Sequence, residues 1–257
     1  MSDAVLHERR GHVDILTINR PEARNAVNGA VSQAMSANLD KLTDDPECWV
    51  VIVTGQGDKA FSAGMDLKAF SAGEGASIIS AAGGFAGLTT RDFPKPLIAA
   101  VNGSCLAGGF EIMLSCDLVV AAKHATFGIP ESKRGLIAGA GGLIRMPKRL
   151  PIAIALEMAM TGDAIDADRA FELGLVNKVV PIESLLDEAL NLAGRIAANA
   201  PLAVRYSKSV MKRTAELPEA QGWAINEEAI SVVFSSADAM EGPIAFAEKR
   251  PPNWQGK

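Results

Sequence analysis

Two runs of sequence decide the fold, LIAAVNGSCLAGGFE (97–111) and LVVAAKHATFGIPE (118–131). The apolar stretch 97–101 is followed by the turn dipeptide Asn-Gly, which predicts a covered strand, a tight turn and then the start of a helix. The apolar stretch 118–122 predicts a second strand, which leads to a loop that contains a proline. Because strands and helices alternate along roughly the first three-quarters of the chain, we expect an α/β fold.

The predicted helix start carries two adjacent glycines, Gly108 and Gly109. The first N–H groups of a helix have no partner within the helix, so such a turn can receive an anion or an oxygen that develops negative charge. Glu111 follows within the first turn, and Glu131 follows the next strand. The segment therefore offers an oxyanion donor and two carboxylates that can converge. The alternative is that the glycines only allow close helix–sheet packing and that both glutamates are solvated.

A second turn with similar properties lies in GDKAFSAGMDLK (57–68), after the apolar run that ends at Thr54. Here the chain leaves a buried strand, passes Gly64 and enters a helix near Asp66, which exposes the N–H of Met65. Loops at strand ends are common ligand sites in α/β proteins. The alternative is an ordinary connection. The following segment, 71–88, is rich in Gly, Ala and Ser, and predicts either an adaptable wall over a pocket or a plain surface loop.

Composition excludes several classes of function. The net charge is −5 with no basic block, and only 5% of residues are aromatic, so we expect no nucleic-acid partner. The three cysteines and three histidines show no metal-binding spacing, so we expect no metal. No apolar run is long enough to span a membrane and the N-terminus has no signal-peptide pattern. We therefore expect a cytoplasmic protein without a membrane partner.

The remaining sequence predicts a core followed by a helical end. Residues 5–19 predict a hairpin about Gly11, and residues 28–42 predict a helix with one apolar face. From Pro201 onwards we expect only helices and then an irregular tail. We therefore divide the chain into a core domain with the active site, residues 1–198, and a C-terminal helical oligomerisation segment, residues 199–257.

Five motifs, in order, resemble the enoyl-CoA hydratase/isomerase (crotonase) superfamily. They are NRP with NA (19–26), FSAGMDL (61–67), AVNG with GG and E (100–111), CD (116–117) and FGIPE (127–131). The resemblance covers nearly the whole chain, up to FAEKR (246–250). It implies a spiral of ββα units, with C-terminal helices that build trimers, often stacked as hexamers.

The resemblance also implies a set of site residues. The N–H groups of Met65 and Gly108 would bind a thioester oxygen, while Glu111 and Glu131 would act on a water molecule and the substrate carbons. Gly139 would orient the water or Glu131 through its backbone. The residues expected along coenzyme A are Arg24, Ala26, Ala63, Asp66, Leu67 and Lys68, with Phe246 and Lys249 reaching the nucleotide from a neighbouring subunit. Coenzyme A is part of the substrate, so no separate cofactor is expected.

The activity that the resemblance implies is the reversible addition of water to a trans-2-enoyl-CoA, which gives a 3-hydroxyacyl-CoA. Glu131 would donate the proton to C2, and Glu111 would position and activate the water. Three alternatives remain open: double-bond isomerisation, which needs only one carboxylate; dehydration of an unusual hydroxyacyl-CoA such as carnitinyl-CoA; and acyl-CoA binding without catalysis.

Overall fold

A computed structural model describes residues 3–80 and 82–257. The twelve strands in this part of the chain are β1 Val5–Arg10, β2 Val13–Ile18, β3 Val50–Gly55, β4 Ala60–Ser62, β5 Ile79–Ser80, β6 Gly84–Phe85, β7 Leu97–Val101, β8 Ser104–Leu106, β9 Leu118–Ala122, β10 Thr126–Gly128, β11 Ile165–Asp166 and β12 Lys178–Val180. The α-helices are α1 Gly29–Asp44, α2 Leu67–Ala69, α3 Gly75–Ile78, α4 Gly108–Ser115, α5 Gly142–Arg149, α6 Ile152–Thr161, α7 Ala167–Glu172, α8 Leu185–Ala197, α9 Pro201–Thr214, α10 Glu219–Phe234 and α11 Ala237–Glu248. Fold class and strand–helix alternation are as predicted.

The larger sheet has six strands in the order β1-β2-β3-β7-β9-β12, and only β1 and β2 are antiparallel neighbours. In each central strand, successive side chains point alternately into two apolar layers, one on each face of the sheet. In β3, Ile52 faces the layer covered by α8, while Val51 and Val53 face the layer shared with the rest of the core. This alternation follows from the two-residue period of a strand. It confirms the prediction that the central strands are covered on both faces.

The predicted hairpin and first helix are also confirmed. The antiparallel register of β1 and β2 pairs Val5 with Ile18. The side chain of Asn28 caps α1 by accepting a hydrogen bond from the N–H of Val31 at 3.1 Å. The apolar face of α1 is fully buried against the core. This packing places the loop between β2 and α1 beside the cavity described below.

The smaller sheet was not predicted. Its order is β11-β10-β8-β4, and β4, β8 and β10 are parallel neighbours. Each of these three-residue strands follows a strand of the larger sheet and precedes a helix, so the chain repeats a strand–strand–helix unit three times. Strands this short carry too few residues to show a period. The predicted spiral of ββα units is nevertheless confirmed.

The segment predicted as a wall or surface loop contains more regular structure than expected. A π-helical turn spans Phe70–Glu74, α3 follows, and β5 pairs with β6 as a small hairpin. The side chain of Ile78 is buried, which anchors the segment to the core. Ala81 of this stretch lies outside the described residues. The adaptability of the segment stays a prediction.

The chain ends in three helices and an irregular tail, as predicted. The ammonium of Lys208 on α9 contacts Asp117 at 2.7 Å and donates a hydrogen bond to the Lys95 carbonyl at 2.7 Å, which fixes α9 to the sheet. The indole of Trp254 donates to the Ala198 carbonyl at 2.9 Å. None of the helices in the described ranges is long and apolar enough to cross a membrane. The division at residue 198 and the oligomerisation role stay predictions.

Candidate active site

The parallel order of the small sheet brings three chain segments together. Met65 follows β4, Gly108 follows β8 and Glu131 follows β10, so all three leave the same edge of one sheet. They open onto a cavity of about 930 Å³, which Glu111 also lines. Carboxyl ends of parallel strands are the expected position for a ligand in this type of fold.

The peptide N–H of Met65 is held in place and left without an acceptor. Val27 pairs with this segment: its N–H donates to the Gly64 carbonyl at 2.8 Å and its carbonyl accepts from Asp66 N–H at 2.9 Å. The N–H of Met65 has no hydrogen-bond acceptor in the part of the chain that the structure describes. Gly64 has φ +88°, and a Cβ there would lie 2.7 Å from the nitrogen of Gly108. Only glycine lets the two peptides approach this closely.

The N–H of Gly108 is the second free donor. Gly108 is the first residue of α4, and within residues 3–80 and 82–257 its N–H finds no acceptor. The preceding residue, Ala107, has φ +53° and donates its own N–H to the Gly128 carbonyl at 2.9 Å. A positive φ at a non-glycine residue stores about 1–3 kcal/mol of strain and is typical of functional turns. Both donors thus lie side by side at the cavity.

Both glycines of the pair lie in close packing, and for Gly108 this packing is compatible with the donor role. A Cβ on Gly109 would lie 2.1 Å from the Ser62 carbonyl oxygen, so this glycine allows α4 to pack on β4. A Cβ on Gly108 would lie 2.5 Å from the ring of Phe85, so a side chain at this position would displace that ring. Packing therefore explains the absence of side chains, and it leaves the Gly108 N–H available at the cavity.

Glu111 is buried, so the alternative of a solvated glutamate is wrong for this residue. Its side chain is 3% exposed, and its Oε1 accepts a hydrogen bond from the Gly142 N–H at 2.8 Å. The pKa of Glu111 is raised to about 7: burial raises it most and the negative charge of Glu131 adds to the rise, while the hydrogen bonds from Gly142 and Ala140 and the charge of Arg145 oppose it. A carboxyl group with this pKa can accept or donate a proton at neutral pH.

Glu131 lies in the 3-10 turn Pro130–Arg134 and is half-buried. Its Oε2 is buried and has no hydrogen-bond partner among the described residues. Burial raises the pKa of this carboxyl group as well. Two carboxyl groups whose charged forms are both disfavoured therefore line one cavity.

The residues predicted to bind the substrate or its coenzyme A portion divide into two groups. Those that line the cavity are Arg24, Ala26, Ala63, Asp66, Leu67, Lys68 and Gly139. Phe246 and Lys249 do not line it in a single chain, and Phe246 is 86% exposed on α11. Their role was assigned to a neighbouring subunit, and it stays a prediction.

Sequence reasoning missed two arginines near the cavity. Arg20 forms an ion pair with Asp66 at 2.9 Å, which fixes the residue that caps α2. Arg145 on α5 donates hydrogen bonds to the carbonyls of Thr89 and Ala140. Arg20 falls within the first of the five motifs, but no pattern distinguished Arg145 from a solvated helix residue.

Free peptide N–H groups beside two buried carboxyl groups define a class of site that can stabilise an oxyanion and transfer protons. No group of three His, Cys, Asp or Glu side chains in the described ranges is arranged to hold a metal ion. The model of one protein family, Enoyl-CoA hydratase/isomerase, matches residues 8–257. The chain belongs to this family.

Individual relatives agree along the full length. A carnitinyl-CoA dehydratase of Salmonella enteritidis PT4 is 44% identical over 100% of both chains. The crystal structure of an enoyl-CoA hydratase from Mycobacterium tuberculosis H37Rv superposes with a TM-score of 0.96 at 49% identity and covers 100% of both chains. A carnitinyl-CoA hydratase from Mycobacterium avium gives a TM-score of 0.79 at 47% identity, again over 100% of both chains. The family resemblance and the crotonase-type fold are thereby confirmed.

Proposed function

We propose that this chain is a hydro-lyase that reversibly adds water across the C2=C3 bond of a trans-2-enoyl-CoA. One observation carries the proposal: two unpartnered peptide N–H groups and two carboxyl groups of raised pKa line the same cavity. The first pair suits a thioester oxygen that becomes enolate-like, and the second pair suits a water molecule that must lose one proton while carbon gains another. Family membership supports the same reaction class.

The oxyanion step depends on Met65 and Gly108. As water adds to C3, negative charge moves to the thioester oxygen, and donors already in position stabilise that charge without reorganisation. The pairing of Val27 with the Met65 segment and the strained turn at Ala107 hold the two peptides before substrate arrives. Each such donor contributes on the order of 3 kcal/mol to the transition state.

The proton transfers depend on Glu111 and Glu131. Glu111, held by the Gly142 N–H, accepts a proton from water while the water oxygen bonds to C3. Glu131, in its protonated form, donates its proton to C2, and the charge returns from the thioester oxygen to the new C–H bond. Burial raises the pKa of both groups, which favours the protonated form of each. Dehydration is the same sequence in reverse.

The cavity mouth suits the nucleotide end of coenzyme A. Arg24, Lys68 and Arg134 are exposed cations that line the cavity, and none of them forms an ion pair among the described residues, although the charge of Arg134 lowers the pKa of Glu131. Phosphate groups are attracted to such a cluster. Arg20 differs, because Asp66 neutralises it.

A second candidate is dehydration of carnitinyl-CoA, which the name of the Salmonella enteritidis PT4 relative favours. The reacting carbons would be the same, but the acyl group would carry a quaternary ammonium. Ile79, Phe85, Leu136 and Ile137 give the cavity an apolar wall, with Phe85 the one aromatic side chain among the described lining residues. Cation-binding sites typically use several aromatic faces. We therefore favour a neutral acyl group.

The test is turnover of crotonyl-CoA in H₂¹⁸O, with the products separated and weighed by mass spectrometry. We expect 3-hydroxybutyryl-CoA that carries one ¹⁸O, and its loss in Glu111→Gln and Glu131→Gln. Glu183→Gln is the matched control, because Glu183 is an exposed glutamate away from the cavity. Crotonobetainyl-CoA in the same assay compares the two acyl groups.

The other outcomes contradict either the proposed reaction or the choice of a neutral acyl group. Migration of the double bond without uptake of ¹⁸O would indicate an isomerase. Thermal stabilisation by acyl-CoA without turnover of any enoyl-CoA would indicate a binding protein. Faster turnover of crotonobetainyl-CoA than of crotonyl-CoA would assign the cationic substrate.

A further inference from the structure

Arg145 is a half-buried cation that forms no ion pair in the described ranges, although its charge acts on the Glu111 carboxylate. Its guanidinium instead donates to two backbone carbonyls: Nη2 to Thr89, and Nη1 to Ala140 at 3.3 Å. Thr89 and Ala140 belong to separate segments of the chain, and both line the cavity. One side chain therefore joins two parts of the cavity wall.

The Ala140 end of this bridge lies two residues before Gly142, whose N–H binds the Glu111 carboxylate. Gly141 has φ +109°, and a Cβ there would lie 2.1 Å from Nη1 of Arg145, so the guanidinium packs against this peptide. The next residue, Gly142, donates its N–H to Glu111. A Cβ on Gly142 would lie 3.1 Å from Oε1 of Glu111. A continuous set of contacts therefore connects Arg145, through Gly141 and Gly142, to the carboxylate of Glu111.

The electrostatic surroundings of Glu111 are consistent with this geometry. The N–H groups of Gly142 and Ala140 and the charge of Arg145 lower its pKa, while burial and the charge of Glu131 raise it. Arg149 also faces Arg145 on the same helix. Removing the charge of Arg145 should therefore raise the pKa of Glu111.

We propose that Arg145 is a positioning residue for the hydro-lyase reaction, joining the Thr89 and Ala140 segments so that the Gly142 N–H holds the Glu111 carboxylate at the cavity. This inference rests on the proposed function. A planar guanidinium can donate to two carbonyls at once, which an ammonium on a flexible stem does poorly. Substitution by lysine retains the charge without the bridge to two carbonyls, so it separates the two contributions.

The experiment compares Arg145→Gln and Arg145→Lys in enoyl-CoA hydration across pH. In Arg145→Gln we expect kcat to fall by about tenfold to a hundredfold, as small displacements of catalytic groups do, with little change in KM. The acidic limb of the kcat/KM profile moves to higher pH, because this profile reports the pKa values of the protein without substrate. In Arg145→Lys the limb returns towards the wild-type position, while kcat recovers only in part.

Lys148→Gln is the matched control, because Lys148 is an exposed cation on the same helix that pairs with Glu216. It should leave kcat and the limb unchanged. Wild-type kcat and an unmoved limb in Arg145→Gln would overturn the inference, and so would equal losses in Lys148→Gln. If Arg145→Gln does not fold, wild-type kcat in Arg145→Lys overturns it.

A readout without turnover separates this inference from the proposed function. The carboxyl titration of Glu111, followed by ¹³C NMR and assigned with Glu111→Gln, should move to higher pH in Arg145→Gln even if the substrate is not an enoyl-CoA. An unmoved titration contradicts the role of Arg145. Absence of hydration by the wild type contradicts the proposed function alone.

Discussion

Replacing Glu111 by glutamine should stabilise the protein while it inactivates the site. Burial raises the pKa of Glu111 from 4.5 to about 7. At about 1.4 kcal/mol per pKa unit, the ionised form costs the folded state about 3 kcal/mol. The folded state binds this proton more tightly than the unfolded chain does, so the cost is absent below pH 4.5, grows as the pH rises to about 7 and is constant above.

Glutamine mimics the protonated acid and retains an oxygen that can accept from the Gly142 N–H. Glu111→Gln should therefore be up to about 3 kcal/mol more stable than the wild type at pH 8, with a smaller difference at pH 5.5. Hydration should fall by about 10²–10⁴-fold, since the variant cannot accept a proton from water. In the wild type, the acidic limb of hydration should lie near pH 7.

Urea denaturation at both pH values, followed by tryptophan fluorescence, measures the first effect, and the hydration assay measures the second. Glu183→Gln controls for the loss of a glutamate from the surface. A stability difference that is the same at pH 5.5 and pH 8 would refute the burial argument. Retained turnover would refute the assignment of Glu111.

Three further predictions concern other parts of the site. Gly64→Ala should lower the hydration rate by on the order of 10²-fold or more and reduce the free energy of unfolding by about 1–3 kcal/mol, because φ is +88° and the new Cβ would lie 2.7 Å from the Gly108 nitrogen. Hydration kinetics and urea denaturation measure the two effects. Normal turnover in this variant would contradict the proposed oxyanion geometry. Lys68→Ala should raise KM by about two- to fivefold for CoA thioesters but not for pantetheine thioesters, which lack the nucleotide; an equal rise for both would contradict a nucleotide contact. If a second copy of the chain completes the site, Phe246→Ala should raise KM for CoA thioesters. Unchanged kinetics in the oligomer would contradict the predicted contact between Phe246 and the nucleotide.

The long elements could be predicted from sequence because their patterns reflect burial. The apolar runs of β3 and β7 are long enough to indicate strands covered on both faces, and the apolar face of α1 extends over enough residues to show a helical period. Residues 60–62 and 104–106 could not be recognised as strands, since three residues carry no period. Their pairing depends on contacts between distant parts of the chain.

The site was predicted from motifs, and its geometry came from the fold. Met65, Gly108, Glu111 and Glu131 all line one cavity, and the roles that the resemblance implies for them stay predictions. Arg145 was not predicted, because a single arginine on a helix has the same sequence signature whether it is solvated or bridges two carbonyls. The exposed position of Phe246 on one chain is equally invisible in sequence.

A crystal structure of the protein with a bound acyl-CoA tests the central claim most directly. The account predicts the thioester oxygen within about 3 Å of the nitrogens of both Met65 and Gly108, with C2 and C3 between the carboxyl groups of Glu111 and Glu131. A thioester oxygen that contacts neither nitrogen, or an acyl chain that leaves both carboxyl groups on one side, would contradict it.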